Sequence, residues 1–316
     1  MPQYDCVVCG EICVDLVARN VPRDRLLADL GMLTLGSLTA LTGGIVPNSG
    51  IALARLGLAT ASLGVIGDDE WGQLIRRRLD IENVDSQHLV VRTDRSTSAT
   101  LILVSDDSEH TFAFCPGASQ TIDRATCLER LDLFRASRYA LFGYYNLLPN
   151  LEHDLPEVLA AVQSTGCKTA LDTTNGGGTF HPLDRILPHL DIYVPSYAEA
   201  HSQTSESDPV AMLRRFRTCA TDSTLLGVKL GERGALLSPA PDSFIEIPPV
   251  SPPGPIVDTT GAGDCFYSGL VAGLARGLST YDAGRLAAAA GAAAVTAVGG
   301  ATGVGGFEAM RQLAAT

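Results

Sequence analysis

DTTGAGDCFYSG, residues 258–269, places Gly261, Ala262 and Gly263 directly before the carboxylate of Asp264, at the start of an apolar run that reads as a helix. Small residues let a backbone approach a ligand closely, and the free N–H groups of a helix start favour anionic oxygen. Asp264 in the first turn is expected to be kept ionised by the helix dipole, ready to accept a hydrogen bond or a proton. Such a pair suits phosphoryl transfer, in which amides stabilise charge growing on the γ-phosphate while a carboxylate orients and deprotonates an attacking hydroxyl. The same residues equally suit an acidic helix start with glycines for close packing. The surrounding sequence has to decide.

Upstream of this stretch, strand-like and helix-like segments alternate. A first strand is expected over about residues 4–14, and Asn48 and Ser49 are expected to open the helix SGIALARLG. ATASLGVIGDD then reads as strand and loop and DEWGQLIRRRLDIENV as helix, with RYALFG, CKTALDT and DIYVPS as later strands. A helix begins near Tyr197, TLLGVKLGERGALLSP reads as strand, glycine turn and strand, and two apolar helices over about 263–277 and 281–297 complete the core. Strands alternating with helices imply a mainly parallel sheet covered on both faces, with ligands at the carboxyl ends of the strands. STSATLILVSDDSEHTFAFCP, residues 96–116, breaks the rhythm as a hairpin. With the turn-rich segment before residue 43 it is expected to form a small β flap over one end of the sheet.

Composition bounds the function. The 316 residues carry a net charge of −12, with a sequence pI near 4.9, which gives no basic footprint for nucleic acid. Arg76, Arg77 and Arg78 read as the solvated end of a helix. No N-terminal signal and no Leu-rich span of membrane length are visible, so a cytoplasmic protein without a membrane partner is expected. Eight scattered cysteines suit free thiols in a reducing compartment. Cys6 and Cys9 form a C-x-x-C, but in a strand they point to opposite faces and cannot share a metal. A nicotinamide dehydrogenase would need G-x-G-x-x-G after the first strand, where this chain has CGEICVDLV.

DTTGAGDCFYSGL, together with LTGGIVPNSGIALARLG, GVIGDDEWG and VKLGERGALL in the same order, resembles the ribokinase-like carbohydrate kinases, or phosphofructokinase-B family, over roughly residues 5–305. The resemblance implies one domain over 1–316, a three-layer α/β/α sandwich with a mainly parallel central sheet, and a β lid from about 12–42 and 96–116. It implies Asp264 as catalytic base and Gly261, Ala262 and Gly263 as the anion hole. Asp15, Gly43, Gly44 and Asn48 would bind the acceptor. Lys229, Gly231 and Gly234 would lie against ATP, Glu199 would support Mg2+ through water, and Asp258 would help hold a monovalent cation such as K+. The chain departs from the family in having Ser196 where Asn commonly precedes the x-x-Glu of Glu199, and Cys13 where an Asn often stands two residues before Asp15. The implied activity is transfer of the γ-phosphate of Mg-ATP to a monosaccharide or related polyol. A nucleoside acceptor and a non-catalytic sugar-binding protein are the other readings. Tyr144, Tyr145 and Asn146 suit a pocket lining that stacks on a sugar face or a base, and the two tyrosines equally suit burial at a strand end. TLILV and TFAFC, as apolar flap strands, suggest a homodimer joined through the lid.

Overall fold

The computed structural model describes residues 2–21, 32–105, 110–174 and 178–316. Part of the expected 12–42 segment and most of the SDDSE turn therefore lie outside the described residues. In chain order the first strands are β1 (Tyr4–Gly10), β2 (Cys13–Val21), β3 (Ser37–Gly43), β4 (Thr60–Leu63), β5 (Val65–Gly67), β6 (Val84–Asp85), β7 (Val90–Arg92), β8 (Ser98–Ser105) and β9 (His110–Cys115). They are followed by β10 (Ser137–Gly143), β11 (Lys168–Asp172), β12 (Ile192–Tyr193), β13 (Leu225–Lys229), β14 (Ala235–Ala240) and β15 (Ser243–Ile247).

Nine strands form one sheet in the order β15-β14-β13-β12-β11-β10-β1-β4-β6, parallel from β13 to β6 and antiparallel at the β14 and β15 edge. Both faces are covered, which is why its strands are continuous apolar runs. On β1, Cys6 and Val8 pack into one core with Ile45, Leu53 and Tyr267, while Val7 and Cys9 pack into another with Phe142 and Val158. The C-x-x-C cysteines thus sit on opposite faces, and the three-layer sandwich follows. Among the described residues, no helix is long and apolar enough to cross a membrane.

A separate four-stranded sheet has the order β3-β2-β8-β9. The first apolar run is accordingly two strands, not the single one expected over 4–14. Gly10, at φ +146°, lets the chain leave the main sheet where a Cβ would lie 2.2 Å from the Gly143 carbonyl oxygen. After Glu11 and Ile12 the chain enters the small sheet at Cys13. Strand-like runs on both sides of only two intervening residues, Glu11 and Ile12, hide the break from sequence reading.

The junction between the two sheets gathers on Glu11, which is buried. Ser119 Oγ lies 2.7–2.8 Å from both its carboxylate oxygens and 2.7 Å from Ser98 Oγ, which accepts the Gly117 N–H. The Glu11 carbonyl accepts the Val46 N–H at 3.2 Å. The β1–β2 link, the exit from β3, the start of β8 and the exit from β9 therefore meet at Glu11, through its backbone carbonyl or its carboxyl group. Burial pushes that carboxyl up to about 8.

Candidate active site

Asp264 lies in the first turn of the helix Ala262–Ala275 and is buried. Gly261, at φ 75°, caps this helix, and a Cβ there would lie 2.4 Å from Gly300 Cα, so only glycine lets the two loops meet. The N–H of Ala262 turns to the Thr259 carbonyl at 3.3 Å. Those of Gly263 and Asp264 have no acceptor among the described residues, which leaves them as orphan donors of the helix start.

Three side chains from separate elements converge on the Asp264 carboxylate. Asn48 donates from Nδ2 to Oδ2 at 2.9 Å, and the Tyr144 hydroxyl lies 2.7 and 2.8 Å from Oδ1 and Oδ2. Lys229 adds positive charge from the end of β13, with Nζ 3.2 Å from where a Cβ on Gly263 would stand. Burial still outweighs these partners and pushes the carboxyl above its ordinary range, with Glu199 adding to the rise. Asn48, Tyr144 and Lys229 act with the helix dipole on Asp264, and burial acts against them. A fully buried carboxylate loses more hydration than one helix terminus returns.

Asn48 is also not at the head of its helix. The helix runs Ile45–Arg55 behind Gly44, so Asn48 is a first-turn residue whose amide is free of capping and reaches Asp264. Asp15 sits on β2, where Cys13 Sγ donates at 3.5 Å and Thr100 provides a further hydrogen bond. Burial pushes Asp15 up to about 6. Gly43, at the end of β3, would place a Cβ 2.2 Å from Asp15 Oδ2, so its bare backbone admits this carboxylate. A cavity of about 800 Å³ opens beside Asn48, bounded by Leu41, Thr42, Gln73, Arg77 and Gly299.

On the other side of Asp264, Lys229 Nζ pairs with Asp172 at 2.9 Å, and burial pushes Asp172 up to about 7. Sequence reading missed Asp172; the available signal was a carboxylate at the carboxyl end of a parallel strand. Gly231 is in open space at φ 62°, whereas a Cβ on Gly234 would lie 2.0 Å from the Ile247 carbonyl oxygen. Gly234 is therefore required by packing against β15, whatever lies on its outer side.

Ser196 and Glu199 form a reciprocal helix cap: the Ser196 N–H donates to Glu199 Oε2 at 2.7 Å, and the Glu199 N–H donates to Ser196 Oγ at 3.3 Å. The serine that departs from the family pattern thus fixes the glutamate. Asp258 accepts the N–H groups of Thr260 at 2.9 Å and Gly299 at 3.1 Å, tying the loop before the helix to the 299–300 turn.

The model of the pfkB family of carbohydrate kinases matches residues 3–304. The chain belongs to this family. A sugar kinase of Archaeoglobus fulgidus is 26% identical over 261 residues, covering 75% of this chain and 91% of that protein. An aminoimidazole riboside kinase of Salmonella typhimurium is 29% identical over 280 residues, covering 82% and 83%. Ribokinase from Arabidopsis thaliana, solved with ribose and ATP, superposes with a TM-score of 0.85 at 21% identity over 99% of each chain. The ribokinase-like fold expected from the sequence is the one observed, and as a pfkB-family kinase the protein is a phosphotransferase.

Proposed function

We propose that the protein transfers the γ-phosphate of Mg-ATP to a hydroxyl of a monosaccharide or related polyol, with Asp264 as base. The observation that carries this reading is the meeting of a buried carboxylate with unpaired amides at one helix start. The acceptor oxygen forms a bond to the γ-phosphorus, the bond from that phosphorus to the β–γ bridging oxygen breaks, ADP leaves, and the hydroxyl proton passes to Asp264. Of the expected anion hole, the N–H groups of Gly261 and Gly263 stabilise the charge on the transferring group together with that of Asp264, while that of Ala262 is taken by the Thr259 carbonyl. Asp15, Asn48 and the exposed backbone at Gly43 and Gly44 hold the acceptor, and Lys229 and Gly231 face the nucleotide. ATP as donor is supported by the Arabidopsis relative solved with it.

Magnesium would neutralise phosphate charge, and the donor set fits. Glu199 is buried, and its Oε1 has no protein donor among the described residues, so it can hold a metal-bound water. Asp258 shapes the loop where a monovalent cation would sit. Closure of the small sheet as a lid would exclude water from the γ-phosphate. Leu38, Phe112 and Phe114 are exposed on that sheet, with β3 and β9 at its edges, which supports a homodimer joined there. Eight unpaired thiols and the need for ATP suit a cytoplasmic enzyme.

The test is ADP release from Mg-ATP across sugars, sugar acids, cyclitols and nucleosides, with and without K+. Turnover of a monosaccharide is expected. Preference for a nucleoside would favour the second reading, which the riboside kinase relative supports. Silence across the panel while sugars raise Tm would indicate a binding protein.

A further inference from the structure

Tyr144 follows the last residue of β10 and has left-handed backbone angles, φ 62° and ψ 36°. A bulky L-residue rarely adopts this conformation, and it persists only where the surroundings over-determine it. Here the Tyr144 N–H is bound to the Asp172 carbonyl at 3.0 Å, and the ring packs against the core that contains Tyr267 and Leu270. The strand end is thereby fixed, with the phenol on Asp264. A ring needed only for packing would not require that contact. Its neighbour Tyr145 is buried in the opposite core.

We propose that Tyr144 is a positioning residue for Asp264: its hydroxyl and the Asn48 amide clamp the carboxylate in the orientation that receives the acceptor hydroxyl. This rests on the reading of Asp264 as base. One phenolic proton serves one oxygen at a time. With Asn48 donating to Oδ2, the phenol settles on Oδ1, and each oxygen keeps a lone pair for the acceptor. The clamp also opposes the rise in proton affinity that burial causes. The other groups whose charge reaches this carboxylate are Lys229, Asp172, Glu199, Asp15 and Cys265.

Tyr144→Phe keeps the ring and removes one oxygen. Turnover is expected to fall by roughly tenfold, the size of a lost hydrogen bond to a charged group, with the KM for ATP unchanged. Without the donor Asp264 protonates more readily, so the acid limb of the kcat/KM profile for the acceptor moves to higher pH by about one unit. In an Asp264→Asn background the same change should add almost nothing, because the clamp acts only through that carboxylate. 3-Fluorotyrosine placed at 144 keeps the fold and has a more acidic phenol, so it should move the limb the other way. Wild-type turnover and an unmoved limb in both variants, or a full additional loss in the Asp264→Asn background, would overturn the proposal. An inert wild type, or an undiminished Asp264→Asn, would instead overturn the base assignment beneath it.

Discussion

Asp264, which is buried, and Asp15, which is half-buried, are close enough to raise one another's charge cost, yet they are held by different scaffolds. Asp264 belongs to the main layers, and its partners come from three elements: Asn48 from the helix after β3, Tyr144 from the end of β10 and Lys229 from the end of β13. Asp15 rides on the small sheet, and its donors, Cys13 and Thr100, belong to that sheet as well. The carboxylate proposed as base is thus held by the core, whereas the one proposed to bind the acceptor is held by the small sheet. The junction at Glu11 is where the two scaffolds meet.

Breaking the core side should have the largest effect. Lys229→Met leaves Asp172 buried without its cation, a situation that typically costs 3–5 kcal/mol. The loss should be smaller at pH 5 than at pH 8, because Asp172 then takes up a proton; urea denaturation at both pH values measures it. An equal loss at both would show that the pair does not hold this side together.

Asp15→Ala should act on the acceptor alone. Hydrogen bonds to a charged group contribute about 1.5–3 kcal/mol, so the KM for the acceptor should rise roughly 10- to 100-fold with kcat less affected. In the wild type, Asp15 takes up a proton as pH falls through about 6, so the same KM should rise there and the variant should not show this rise. A pH-independent KM in the wild type would separate Asp15 from the acceptor.

At the junction the effect is read as the pH dependence of stability. The Glu11 carboxyl is raised from an ordinary 4.5 to about 8, so between these values the native state holds a proton that the unfolded chain releases. Stability should therefore decline as pH rises through that window, and Glu11→Gln should flatten the decline. Parallel denaturation profiles for the two proteins would refute the assignment.

The difference between the two scaffolds also marks what was legible in the sequence. Gly261 to Asp264 and the alternation of strands and helices are local patterns, and they led directly to the parallel sheet and to the helix start at its carboxyl edge. The expected flap was readable because the 96–116 hairpin broke the helix rhythm. The entry to the small sheet at Cys13 was not, since the strand-like runs YDCVVC and ICVDLV on either side of Gly10 and Glu11 read as one strand. The contacts of Tyr144 and Asn48 with Asp264, 120 and 216 residues apart in sequence, depend on which strand ends lie side by side. The Asp172–Lys229 pair depends on the same order, β11-β12-β13, and no local spacing encodes it. Asn48 looked like a helix cap because that is what its local sequence suits; Gly44 took that position instead.

Single-turnover transfer from ATP to the acceptor found in the panel, compared between wild type and Asp264→Asn at saturating substrates, tests the central claim most directly. Transfer should fall on the order of 10²- to 10⁴-fold with nucleotide binding retained, as for the loss of a general base. Undiminished transfer by Asp264→Asn would contradict it.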